Sequence, residues 1–162
     1  MIIFDADILS MFAKVEEIDL LKRLLGDKLV MTPKIRDEIS VPLEYGYTFP
    51  LQVISKVKTI PLDREALEEY ERLQQNFSLG KGELEAIAYC KTKGCAFATN
   101  DIKAREFAKG EGVPLISLQA ILKVLWKKEI KSKEEVKELL EKIKETDNLT
   151  VSVEVEREIF EG

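Results

Sequence analysis

Apolar residues follow two rhythms along this chain: short unbroken runs, and longer stretches in which they return every three or four positions. The runs Met1 to Phe4 and Leu29 to Met31 predict short buried strands, Cys95 to Ala98 and Pro114 to Ile116 two more strands, and Val57 to Ile60, just before Pro61, the third strand in chain order. After the first run, Ile8, Met11, Phe12, Val15, Ile18, Leu21, Leu24 and Leu25 recur at helical spacing, and Gly26 ends the pattern. Thr32-Pro33 reads as an N-cap with proline at the first helical position, opening a helix that carries Ile35, Glu38 and Ile39. The segment from Pro42 to Pro50 holds tyrosine, glycine and two prolines and predicts a loop. Further helices are expected from Asp63 to Phe77, from Gly82 to Gly94, from Asp101 through Ala108, and from Ser117 to Lys128. Strand and helix alternate throughout, so the chain predicts an α/β fold whose parallel sheet is covered on both faces.

Beyond Lys131 the rhythm is purely helical. Val136, Leu139, Leu140 and Ile143 predict a peripheral amphipathic helix, with Glu138 and Lys142 spaced as an i,i+4 pair. The tail from Leu149 to Gly162 is open to three outcomes: pairing, docking as a short helix after Ser152, or covering a partner. Residues 1–130 read as the core of one domain and residues 131–162 as a helical extension packed on it, with no repeat or linker between them.

Composition narrows the chemistry more than the fold. A chain of 162 residues, 45% hydrophobic and 34% charged, suits one globular domain. No apolar run reaches the roughly 18 residues that span a membrane, and a charge arrives too early in MIIFDAD for a secretory signal, so a cytoplasmic location is expected. There is no histidine, and the two cysteines, Cys90 and Cys95, read as small buried hydrophobes. A Cys/His zinc site and every histidine-dependent nucleophile are thereby excluded, which leaves polar catalysis to carboxylates. A net charge of −5 speaks against a nucleic-acid partner unless clustered acids hold divalent cations that neutralise them locally.

Four acids fall where such a cluster would form: Asp5 after the first strand, Glu38 in the helix after the second, Glu83 opening a helix, and Asp101 after the strand Cys95 to Ala98. In open α/β sheets, sites gather beyond the carboxyl ends of the strands. Mg²⁺ or Mn²⁺ takes hard oxygen ligands and activates water against a phosphodiester. Taken singly, Asp5 and Asp101 also suit helix N-caps, Glu83 suits a helix dipole, and Glu38 suits a solvated face. Helical facing sharpens two choices. At about 100° per residue, Glu38 lies near the buried side marked by Ile35 and Ile39 while Asp37 lies away from it, and Glu83 lies within the apolar arc of its helix while Glu85 lies on the solvent side.

These segments resemble the PIN domain family: IIFDADIL as its opening strand and first acid, MTPKIRDEI for the second acid, GKGELEAIAYCKTKG for the third and FATNDIKAREFA for the fourth. The resemblance spans about residues 1 to 125. It implies an α/β/α sandwich with a central parallel sheet and metal-dependent RNA cleavage with Mg²⁺ or Mn²⁺. Asp5, Glu83 and Asp101 would hold the metal, Glu38 would complete the site, and Thr99 would orient an acid. It further implies a toxin of a toxin–antitoxin pair, with RNA, a small antitoxin protein and a second copy of the chain as partners. Asp7, at a position often neutral in the family, either adds a fifth acid or caps a helix. Lys34, Lys81, Lys103 and Arg105 are candidates for phosphate contacts. Two other readings remain: a haloacid dehalogenase-like phosphatase with Asp5 as nucleophile, from the D-x-D after an apolar strand, and a PIN-like binding module without turnover.

Overall fold

The computed structural model describes residues 1–162. Five short strands, β1 (Ile2–Phe4), β2 (Leu29–Met31), β3 (Lys58–Thr59), β4 (Ala96–Ala98) and β5 (Leu115–Ile116), form one sheet in the order β3-β2-β1-β4-β5. Every pairing is parallel, with Ile3 opposite both Val30 and Phe97. Ten helices cover it: α1 (Ala6–Lys14), α2 (Ile18–Leu25), α3 (Pro33–Ser40), α4 (Pro50–Lys56), α5 (Arg64–Leu73), α6 (Lys81–Lys93), α7 (Ile102–Gly110), α8 (Leu118–Lys127), α9 (Lys133–Asp147) and α10 (Val153–Phe160). The result is a three-layer α/β/α sandwich. Helices on both faces explain why the central strands are continuous apolar runs: Ile3, Phe4, Leu29, Val30, Met31, Phe97 and Ala98 are all buried.

Several elements depart from the sequence expectation. The helical run Ile8 to Leu25 is two helices, because Glu16 adopts a left-handed backbone (φ 60°) and the Glu17 amide donates back to the Phe12 carbonyl at 2.7 Å. Apolar spacing stays in phase across this break, so periodicity alone does not reveal it. The segment 42–50 is not all loop. A 3₁₀ turn covers Val41–Tyr45, and Pro50 opens α4; both prolines sit in first turns, where a missing amide costs nothing. The third strand shrinks to Lys58–Thr59, and α5 stops at Leu73, short of Phe77.

The tail forms the short helix after Ser152, whose hydroxyl accepts from the Val155 amide. It is fastened to α8 by the Trp126 indole, which donates to the Ile159 carbonyl at 2.8 Å. Helix α9 buries Val136, Leu139, Leu140 and Ile143 against α1 and α8, so one hydrophobic core runs from Ile3 to Ile159.

The strand order fixes where chemistry can gather. From β1 the chain moves outward to β2 and β3, then returns to the other side of β1 to add β4 and β5. The connections therefore diverge beyond the carboxyl ends of β1 and β4, leaving a crevice between them. Asp5 and Thr99 are the residues that directly follow those two strands.

Candidate active site

Asp5 is held almost out of solvent, at 4% exposure. Its amide donates to the Ala98 carbonyl at 2.9 Å, continuing the β1–β4 ladder one step past the strand. Its Oδ1 accepts from the Ala6 amide at 2.8 Å, capping α1, and its Oδ2 accepts from the Thr99 hydroxyl at 2.6 Å. The Thr99 oxygen in turn accepts from the Asp101 amide at 3.2 Å, and the Asp101 carboxylate caps α7 by accepting from Ala104 at 2.9 Å. Thr99 is fully buried and links the two acids. Burial pushes the Asp5 carboxyl up; the bonds from Thr99 and Ala6 oppose this, and the Asp101 charge adds to it. Asp5 and Asp101 are thus helix caps as well as members of a cluster.

Glu83 occupies the first turn of α6, its Oε1 accepting from the Gly80 amide at 3.1 Å. Half-buried and facing the charges of Asp5, Asp101 and Glu38, it is pushed up to about 7, with burial the largest cause. Asp7 behaves alike. Burial first, then the Asp5 charge, raises it to about 7, while the Ile8 amide, donating to Oδ1 at 2.8 Å, opposes the rise. Asp7 therefore belongs with the acids, a role its place two residues after Asp5 in D-x-D left open.

Glu38 shows much of its surface to water, yet its carboxylate tip lies on Gly82, where a Cβ would overlap Oε1 and approach Cδ to 3.1 Å. The same oxygen would lie 3.9 Å from a Cβ at Gly80, beside Glu83 Oε1 at 3.5 Å. Burial raises the Glu38 carboxyl, and the charges of Asp5 and Glu85 add to that, while the Gly82 amide opposes it. Asp37, its neighbour, is exposed as well.

An open cleft of about 670 Å³ lies at three of these acids, Asp7, Glu83 and Asp101, and is lined also by Ser78, Lys103 and Leu149, while Asp5 and Glu38 are not part of its lining. Volume alone does not choose it: a cleft of about 640 Å³ sits elsewhere, between α1 and the segment 42–52, and Glu16 is its only acid. The matching family model describes a PIN domain and spans residues 1–161.

The chain belongs to the PIN domain family. PIN domains are generally nucleases, and typically use divalent metals. No curated protein matches the chain in sequence.

The donor set of this PIN domain suits such an ion in kind. Asp5, Asp7, Glu83 and Asp101 supply only hard oxygens. None pairs with a lysine or arginine, although elsewhere Glu69 and Glu111 are clasped by Arg72 and Lys91. Burying carboxylates together without a cation is costly, and a divalent ion would offset that cost. The side chains have not closed on one point, since no three acids stand as a ready set of ligands. Among the cations, Lys103 lines the cleft. Arg105 instead donates to the Thr99 carbonyl at 2.9 Å, and the Lys34 ammonium lies 5.6 Å from the Tyr70 ring.

One expectation from helical facing is overturned. Glu85 is not on a solvent side; it is 4% exposed, and its Oε1 accepts from the Lys34 amide at 2.8 Å. Helix α6 packs against α3, α5, β1 and β4, and Gly82 and the whole stretch from Leu84 to Cys90 are buried. It has no single solvent face on which Glu85 could lie.

Proposed function

We propose that this PIN domain is an endoribonuclease that hydrolyses RNA phosphodiester bonds with Mg²⁺ or Mn²⁺. The observation that carries the reading is the group of carboxylates at the crevice between β1 and β4, Asp5 buried and Asp7 and Glu83 half-buried beside the exposed Asp101, with none paired to a cationic side chain. A divalent ion there would supply a water of lowered pKa and charge neutralisation at the phosphate. Asp5, Glu83 and Asp101 would hold it, with Asp7 as a further oxygen ligand. Thr99 keeps Asp5 aimed by donating to Oδ2, a bond that favours the ionised form against the upward push of burial. Glu38, across Gly82, completes the acidic wall, and Lys103 at the rim reaches the strand's phosphates. Family membership sets aside the dehalogenase-like phosphatase.

The cellular role we infer is that of a toxin-type ribonuclease in the cytoplasm, acting as a homodimer and restrained by a small antitoxin protein. The test is direct. The purified protein is incubated with single-stranded RNA and Mn²⁺ or Mg²⁺; cleavage should appear, cease with EDTA and return with excess metal. Cleavage that survives full chelation, or none with either metal, would sink the reading.

A further inference from the structure

Glu85 is a nearly buried carboxylate that the proposed chemistry does not use, and it stands where another residue would be expected to act. By backbone conformation Thr32 is the N-cap of α3, but its fully buried hydroxyl makes no hydrogen bond there. The Lys34 amide, one of the two that an N-cap side chain can accept from, donates instead to Glu85 Oε1 at 2.8 Å. A carboxylate is the stronger acceptor at a helix N-terminus, where the macrodipole also favours negative charge. Helix α3 is thus capped from α6, across the gap between two helices.

The same two faces carry Glu38. Lys34 and Glu38 are one turn apart on α3, and Gly82 and Glu85 are one turn apart on α6. Gly82 leaves the space that the Glu38 carboxylate occupies, and a side chain there would also meet Ile35 Cγ1 at 3.4 Å. Two points therefore fix α3 on α6: a hydrogen bond at its first turn and a close approach at its last. Glu38 lies at the second point, with Glu83 next to it.

We propose that Glu85 is a positioning residue: it locks the start of α3 to α6 so that Glu38 is held across Gly82 beside Glu83, and it does not ligate metal. The proposal rests on the nuclease reading for its effect on turnover, but not for its geometry. Two variants of Glu85 separate positioning from ligation. Glu85→Gln keeps an oxygen for the Lys34 amide, and because the second oxygen is neither hydrogen-bonded nor sealed from water, an NH₂ group is tolerated there. Glu85→Ala removes the acceptor.

In metal-free protein, Glu85→Ala should speed hydrogen exchange at the Lys34 amide at least about tenfold and shift the Glu38 carboxylate ¹³C resonance; Glu85→Gln should do neither. Gly82→Ala should move the Glu38 resonance while leaving Lys34 exchange intact. Neither readout needs RNA or metal, so they test the geometry even if the nuclease reading fails. In the cleavage assay Glu85→Ala should lose about tenfold or more, and Glu85→Gln should stay within about threefold of the parent. In a Glu38→Gln background, Glu85→Ala should add no further loss. Equal damage from Glu85→Gln and Glu83→Gln to Mn²⁺ affinity would make Glu85 a ligand and overturn the proposal. So would unchanged Lys34 exchange in Glu85→Ala, or a fully additive loss with Glu38→Gln.

Discussion

At the residue scale, the acids of the cleft do two jobs that pull in opposite directions. As a cap, Asp101 satisfies the Ala104 amide and opens α7; as a member of the cluster, it repels Asp5. Asparagine caps a helix about as well as aspartate, so Asp101→Asn keeps the first job and removes the charge. Its metal-free melting temperature should equal or exceed the parent's while metal-dependent cleavage falls by orders of magnitude. Asp101→Ala should lose cleavage too, and in addition about 1 kcal/mol of stability, read by urea unfolding. A matched pair probes Glu83. Because its carboxylate faces the charges of Asp5 and Asp101, Glu83→Gln should weaken Mn²⁺ binding in calorimetry by at least about tenfold, whereas Asp37→Asn, on the exposed side of α3, should leave it unchanged. Equal effects would mean that Glu83 is only the cap that its bond to the Gly80 amide also makes it.

At the element scale, local signals predict the ends of helices better than their partners. Asp63, Ser117, Ser132 and Ser152 each cap the helix that follows, as their residue types suggest. Thr32 stands at the same kind of position and does not: its hydroxyl makes no hydrogen bond, and a carboxylate from α6 takes the Lys34 amide. The tail shows the converse: three outcomes were open in the sequence, and burial of Ile159 under α8 with the Trp126 bond decided among them. If α10 belongs to the core, Ile159→Ala, made at a side chain 1% exposed, should destabilise the whole domain by about 2–4 kcal/mol in a single unfolding transition. Loss of tail helicity alone, with the main transition unmoved, would show α10 to be an independent appendage.

For the whole molecule, the acid cluster should show itself in pH dependence. Glu83 and Asp7 ionise at about 7 in the fold, against ordinary values of 4.5 and 3.8. Between those limits the folded state binds more protons than the unfolded one, so stability falls as pH rises from about 4 to about 7 and is regained on acidification through that window. Acids held low by cationic partners, such as Glu69 and Glu111, act with the opposite sign but below their ordinary range, outside this window. Metal-free protein should therefore melt higher at about pH 5.5 than at pH 8, and saturating Mn²⁺ should raise the pH 8 value most, since the ion binds the ionised carboxylates. A flat metal-free profile would mean that the cluster is not coupled as its burial indicates.

The sequence by itself determined the central strands, because an apolar run of three or four residues has few other uses; β3, Lys58–Thr59, has no apolar residue and rests on its pairing with β2. The sequence also determined the alternation that forces a parallel sheet, and the placing of Asp5, Glu83 and Asp101 at a strand end or a helix start and of Glu38 inside the helix after β2, since those positions are local. Helical spacing put Glu38 nearer than Asp37 to the face of α3 that Ile35 and Ile39 bury, and in the fold the Glu38 tip reaches Gly82. Only the tertiary structure decided the strand order that brings β1 beside β4, the membership of Asp7, the break at Glu16 and the burial of Glu85. Each depends on what packs against a segment rather than on the segment. Periodicity names an inward face only for a helix with one packed side, and α6 is packed on nearly all of them.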